Sequence, residues 1–109
     1  MNDPQLPRNT DCERALVAAL IVDPTHHDFA AEEVTWTDFF DQQLGKLYNV
    51  LRLHHASGYP AGDIVGLQGF LEASGCPEEV RTSGFLGRLI GEGLPAHVVY
   101  YAKQIRRSA

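Results

Sequence analysis

A chain of 109 residues is the size of one domain, and 44% hydrophobic with 21% charged residues is ordinary for a globular protein with a real core. The net charge of −5 argues against a general nucleic-acid coat. The longest apolar run, residues 15–22, falls well short of the roughly 20 residues that cross a bilayer, so no membrane partner is expected.

Residues 1–10 carry Pro4 and Pro7 and few apolar groups, and read as an extended arm before a single helical domain over 11–109. The polar start, MNDPQLPRNTD, has no positive region before an apolar run, so it is not a signal peptide and a cytoplasmic location is expected. The first helix spans about 11–22. Its Ala- and Leu-rich composition disfavours a strand, and its all-round apolarity predicts central burial, with Leu16 and Leu20 in the core. Thr10 and Glu13 have capping-box spacing. Pro24 stops the helix near Val22, and Asp23 can cap a second helix over about 24–33. Phe29, Ala30 and Val34 are its expected inward side.

Residues 35–41, TWTDFFD, form an aromatic turn in which Trp36, Phe39 and Phe40 should plug the gap between helices. Asp41 can cap a third helix over about 41–57. There Phe40, Leu44, Leu47, Tyr48, Leu51 and His55 fall at i, i+4, i+7, i+8, i+11 and i+15, one helical face. Gly58 is the expected left-handed residue after its end. A loop over 59–62 leads to Asp63 as the cap of a fourth helix carrying Ile64, Leu67, Phe70 and Leu71 and ending at Gly75. Gly66 and Gly69 weaken that helix by about 1 kcal/mol each relative to Ala, unless they serve close helix approach. Residues 77–81 can make one helical turn. Phe85, Leu86, Leu89 and Ile90 then define a short amphipathic helix closed by Gly91 or Gly93. Leu94-Pro95 breaks the chain. A last helix over about 96–107 aligns Val98, Tyr101, Ala102 and Ile105. No segment sustains period-2 alternation. The reading is all-α: a compact orthogonal bundle of about six to seven helices ending in a helical hairpin.

Chemistry is scarce. There is no GxxxxGK[ST] and no GxGxxG, so no nucleotide cofactor is expected. Adjacent histidines on a helix point about 100° apart, so neither His26-His27 nor His54-His55 grips a metal, and with His97 the five histidines have no assigned role. Asp41 and Asp63 suit caps better than acid–base work. Cys12 and Cys76 sit in different elements without CxxC spacing, as in a reduced protein with buried thiols. Lys103, Arg106 and Arg107 give a basic end with no acid after Glu92, while the rest carries 14 acids against 6 bases, net −8. A basic last turn complements the helix dipole, which explains it better than a DNA contact. Composition and spacing therefore point to a non-enzymatic helical interaction domain.

The order of these elements resembles the N-terminal domain of DnaB-type replicative DNA helicases. Glu13, Ala15, Leu20, Asp23 and Pro24 match that family's E-x-A-x-L-G-A-L-L-x-D-P helix. Asp38, Phe39 and Phe40 resemble its D-F-Y. Gly58, Pro60 and Asp63 resemble its Gly, Pro and Asp, and Phe85, Leu86, Leu89, Pro95, Tyr101 and Ala102 its closing elements. The likeness covers about residues 6–107. Ala18 stands where the family has Gly, His97 where it has Asn, and one extra residue lies between Pro60 and Asp63.

That resemblance implies a non-catalytic collar domain, whose hairpins pair into dimers, three dimers forming a collar over the motor ring, and which binds primase in the primosome. ATP and Mg would belong to a motor domain outside these residues. Mapped here, the hairpin covers about 83–107, with Phe85, Leu86, Leu89, Ile90, Val98, Tyr101 and Ile105 at the contact, although each could instead line the chain's own core. The acidic body, net −8, with only Lys103, Arg106 and Arg107 as a basic cluster, implies no strong DNA binding. The alternative is a stand-alone helical adaptor or regulator that binds a partner protein helix.

Overall fold

The computed structural model describes residues 9–58 and 64–109. Six α-helices follow in order among them: α1 (Asn9–Val22), α2 (His27–Glu33), α3 (Gln42–Ala56), α4 (Ile64–Ala73), α5 (Ser83–Leu89) and α6 (Val98–Ser108). Short 3-10 turns at Pro24–His26, Trp36–Asp38, Glu78–Val80, Ile90–Glu92 and Pro95–His97 link or extend them. No strand occurs among the described residues. Asn9 and Thr10 already belong to α1; the remainder of the expected arm, the 59–62 loop and the Asp63 cap lie outside the described residues.

α1 is the axis of the molecule. Every residue from 15 to 21 is buried, so this helix presents apolar surface in all directions and needs neighbours on all sides. It has them: α6 makes the most extensive contact, and α3, α5 and the turns Ile90–Glu92 and Pro95–His97 complete the shell. The two arms of the expected terminal hairpin, α5 and α6, thus both pack on α1. Gly93 makes this possible on one side, because a Cβ there would lie 2.0 Å from the Ala15 carbonyl oxygen.

Leu16, Leu20, Leu44, Leu47, Tyr48 and Leu51 are buried together. Asp41 caps α3 by accepting the N–H groups of Gln43 and Leu44. Gly58 and Gly75 adopt positive φ (80° and 77°) after α3 and α4. Asp23 accepts the Thr25 N–H at the Pro24–His26 turn, and α2 follows directly. Gly69 faces open space, so it serves no close approach.

Several expectations need correction. Phe40 is not core: its ring is 79% exposed. α3 begins at Gln42, so the helical stripe cannot be extended back to Phe40. The backbone at Phe39 is extended, and consecutive side chains there point to opposite sides. Phe39 takes the inner position, stacked on Tyr48 at 5.1 Å between ring centroids, and Phe40 faces out. Trp36, at 45% exposure, is not a plug either. Phe29 is turned outward as well, because His27, Ala30 and Val34 form the inner line of that segment. The Thr10–Glu13 capping box is absent: Thr10 lies inside the helix, and the Glu13 carboxylate is engaged elsewhere.

Candidate interaction surface

Among the described residues, no three His, Cys, Asp or Glu side chains converge as a metal ion would require. No helix is long and apolar enough to cross a membrane among those residues. Cys12 is half-buried and Cys76 buried; both are free thiols, raised above the usual thiol range chiefly by burial. What the molecule offers is surface.

The expected contact set divides in two. Leu86, Leu89, Val98 and Ile105 are exposed by 1% or less and face the chain's own core. They cannot meet another molecule while the fold is intact, which corrects the reading of them as interface residues. Their stripe is the one α6 and α5 need to pack on α1, and that need comes first. Phe85, Ile90 and Tyr101 are half-buried at the rim of that packing. The Arg14 guanidinium sits over the Phe85 ring at 5.4 Å and pairs with Glu92 through two charge-assisted hydrogen bonds of 2.7 and 2.6 Å. That fork ties α1 to the Ile90–Glu92 turn, and the Arg14 hydrogen bonds hold the Glu92 carboxyl below its usual range. The Tyr101 hydroxyl accepts the Leu94 N–H at 3.2 Å. The apolar and aromatic residues of α6 that face outward are Val99 and Tyr100, one position round from the predicted stripe, beside the exposed bases Lys103, Arg106 and Arg107. Tyr100 is 59% exposed, and its adjacency to a second Tyr was the only signal in the sequence.

A second surface surrounds the Trp36–Asp38 turn. The turn is fixed by reciprocal capping, in which Thr35 donates its N–H to Asp38 at 2.9 Å. It lies tight against α3 because Gly45 lacks a Cβ; one placed there would be 2.7 Å from the Trp36 carbonyl oxygen. Immediately after it, the buried Glu13 carboxylate accepts the N–H groups of Phe40 at 2.6 Å and Asp41 at 3.0 Å. Burial raises the Glu13 pKa, and the two backbone hydrogen bonds oppose that rise. Trp36 and Phe40 are therefore exposed aromatic rings on an anchored backbone.

Three histidines, His27, His54 and His55, have aromatic neighbours across helices. His27 is buried and stacks on His55 at 4.9 Å, while His54 meets Phe70 edge-on at 5.1 Å. The His27 Nδ1 has no hydrogen-bond partner. Burial, with His55 and Arg52 nearby, lowers the His27 pKa to about 4, so the ring is neutral at pH 7.

Comparisons with known proteins agree with this arrangement. A family model described as "DnaB-like helicase N terminal domain" matches residues 5–107. The chain is 28% identical over 111 aligned residues to "Replicative DNA helicase DnaC" of Bacillus subtilis (strain 168), covering all of this chain and 24% of that protein. It is 25% identical over 104 residues to "Replicative DNA helicase DnaB" of Buchnera aphidicola subsp. Baizongia pistaciae (strain Bp), covering 94% of this chain and 22% of that one. The chain thus spans about a quarter of the length of these relatives. In fold it is similar to the crystal structure of the N-terminal domain of DnaB helicase from Mycobacterium tuberculosis, with a TM-score of 0.83 at 20% identity over 95% of this chain and 75% of that one.

Proposed function

The chain belongs to the DnaB-like helicase N-terminal domain family, and from that premise we propose that it is the collar domain of a replicative DNA helicase, assembling with copies of itself and binding primase. It is a scaffold and performs no chemistry of its own; ATP hydrolysis and unwinding belong to a motor domain of the parent helicase. The observation that carries this reading is the match of the family model to residues 5–107. The fold supports it, since an α1 buried over residues 15–21 and a tied-down α5–α6 segment make a rigid body suited to building an assembly.

With Leu86, Leu89, Val98 and Ile105 in the core, self-contact falls to the rim and outer face: Phe85, Ile90, Tyr101, Val99 and Tyr100. The test has two arms. Light scattering across a concentration series should show a monomer–dimer equilibrium that Tyr100→Glu shifts to monomer. Pull-down with a primase C-terminal domain should retain the domain. A strict monomer at millimolar concentration with no primase capture would refute the scaffold reading.

A further inference from the structure

We propose that the groove beside Trp36 and Lys46 is a docking site for an acidic peptide segment of a partner protein, carrying a large apolar side chain next to a carboxylate. Two cavities, of about 170 and 380 Å³, open beside Trp36, and both are bordered by Trp36 and Lys46. Val50 and Cys76 line the first, and Phe39 and Gln42 the second. Charge decides what fits. The chain carries 14 acids, yet no carboxylate lines either cavity. Lys46 is the only charged residue of the groove and takes part in none of the ion pairs found among the described residues. A carboxylate seated there would gain a cation without displacing an internal partner.

The groove is also preformed. The missing Cβ of Gly45 seats the Trp36 backbone on α3, the Thr35–Asp38 capping fixes the turn, and Phe39 is held by its stack on Tyr48. Little ordering would be needed on this side of a complex. A half-exposed Trp between two hollows that mix apolar walls (Val50, Cys76, Phe39) with hydrogen-bonding side chains (Asn49, Ser74, Gln42) is the kind of residue that anchors protein contacts, with the cation setting the register of the incoming chain. Volumes of this size, shallow and paired, suit two side chains of an extended segment better than one enclosed small molecule. The inference does not depend on the helicase reading, because it rests on the groove's own shape and charge.

Trp36 is the only tryptophan in the chain, so its emission reports the groove directly. The experiment selects random peptides displayed on phage against the full chain and titrates the enriched sequences while following Trp36 fluorescence. Enriched peptides should place Asp or Glu near a Phe, Leu or Ile, and should shift the emission saturably. Lys46→Glu, at an exposed position, should weaken binding about tenfold or more, and a peptide with Lys in place of its acid should recover affinity for that variant. The proposal is overturned if no peptide is enriched, if acids are not favoured, or if Lys46→Glu binds equally well. It is also overturned if Trp36 emission responds to protein concentration alone, which would mean that a second copy covers the groove.

Discussion

The Glu13 carboxylate, buried on α1, accepts the backbone N–H of Phe40 at 2.6 Å, while the Phe40 ring is 79% exposed. The two residues are 27 apart in sequence, and the contact fixes where α3 begins relative to α1. The carboxylate meets the start of α3 where unpaired N–H groups and the positive end of the helix dipole gather. The buried carboxylate thereby gains two backbone donors without a cation, which offset only part of the cost of its burial.

Glu13→Gln should destabilise the fold by about 1–3 kcal/mol, because the amide leaves one buried acceptor position empty and brings a donor against an N–H. Urea melts of the two proteins measure it. An unchanged midpoint would mean that the carboxylate contributes nothing beyond its packing. Because the Glu13 pKa is raised in the folded chain, its ionisation opposes folding: this group favours the folded state at low pH and loses that contribution as pH rises through the folded pKa. The stability difference between Glu13→Gln and the parent should therefore narrow with rising pH in the carboxylate range.

Gly93→Ala should be among the most damaging single-methyl changes in the chain. Its Cβ would meet the Ala15 backbone, which cannot turn aside as a flexible side chain would. About 1–3 kcal/mol or more is expected from overpacking of this kind. Gly91→Ala, where a Cβ meets nothing within 4 Å, is the control and should be near neutral. Equal melting temperatures for both variants would show that the Ile90–Glu92 turn can shift off α1.

The sequence displayed what repeats and hid what is single. Leu44, Leu47, Tyr48 and Leu51 are legible as one face because four positions reinforce one period. So is α1, where eight apolar residues in a row leave no polar face. Phe39 and Phe40 are adjacent and nearly alike, and which one turns inward depends on where α3 starts; that is set by Glu13, a tertiary contact. Glu13 itself looked like half of a capping box, since its local partner Thr10 was at the right spacing. On α6 the apolar stripe was correctly located, yet a stripe looks the same whether it meets α1 or another subunit. Only the structure shows that Leu86, Leu89, Val98 and Ile105 are spent on the core, leaving Val99 and Tyr100 outside.

Leu47→Ala should cost about 2–5 kcal/mol, the range for removing a fully buried Leu side chain from a packed core. Leu47 is 0% exposed and lies between Leu44 and Leu51 on the inner face of α3. A loss below about 1 kcal/mol in denaturant melts would mean that the site collapses around the gap.

His27 predicts a pH dependence. Its folded pKa, about 4, lies below the ordinary 6.5, because burial disfavours the imidazolium. The neutral ring's contribution is complete above pH 6.5 and is lost as pH falls toward 4, up to about 3 kcal/mol over that window. His27→Leu should remove that loss between those limits, leaving the opposite-signed contribution of Glu13, which titrates above the ordinary carboxylate value within the same window. Parallel profiles for the two proteins would show that His27 is not the titrating group.

DNA binding by this chain at physiological salt should be undetectable or very weak. Non-specific affinity comes mainly from Lys and Arg neutralising phosphates and releasing counterions. Here Lys103, Arg106 and Arg107 form the one basic cluster in the sequence, and Arg106 already lies 3.8 Å from Glu33. Residues up to Glu92 carry net −8 and repel a duplex at long range. Three phosphate contacts give a shallow salt slope and little affinity. A collar can surround DNA without gripping it, so weak binding is compatible with the proposed role. Fluorescence anisotropy with labelled single- and double-stranded oligonucleotides at about 150 mM salt measures it. Micromolar binding that disappears on charge reversal of Arg106 and Arg107 would make the end of α6 a nucleic-acid contact and overturn a purely scaffolding domain.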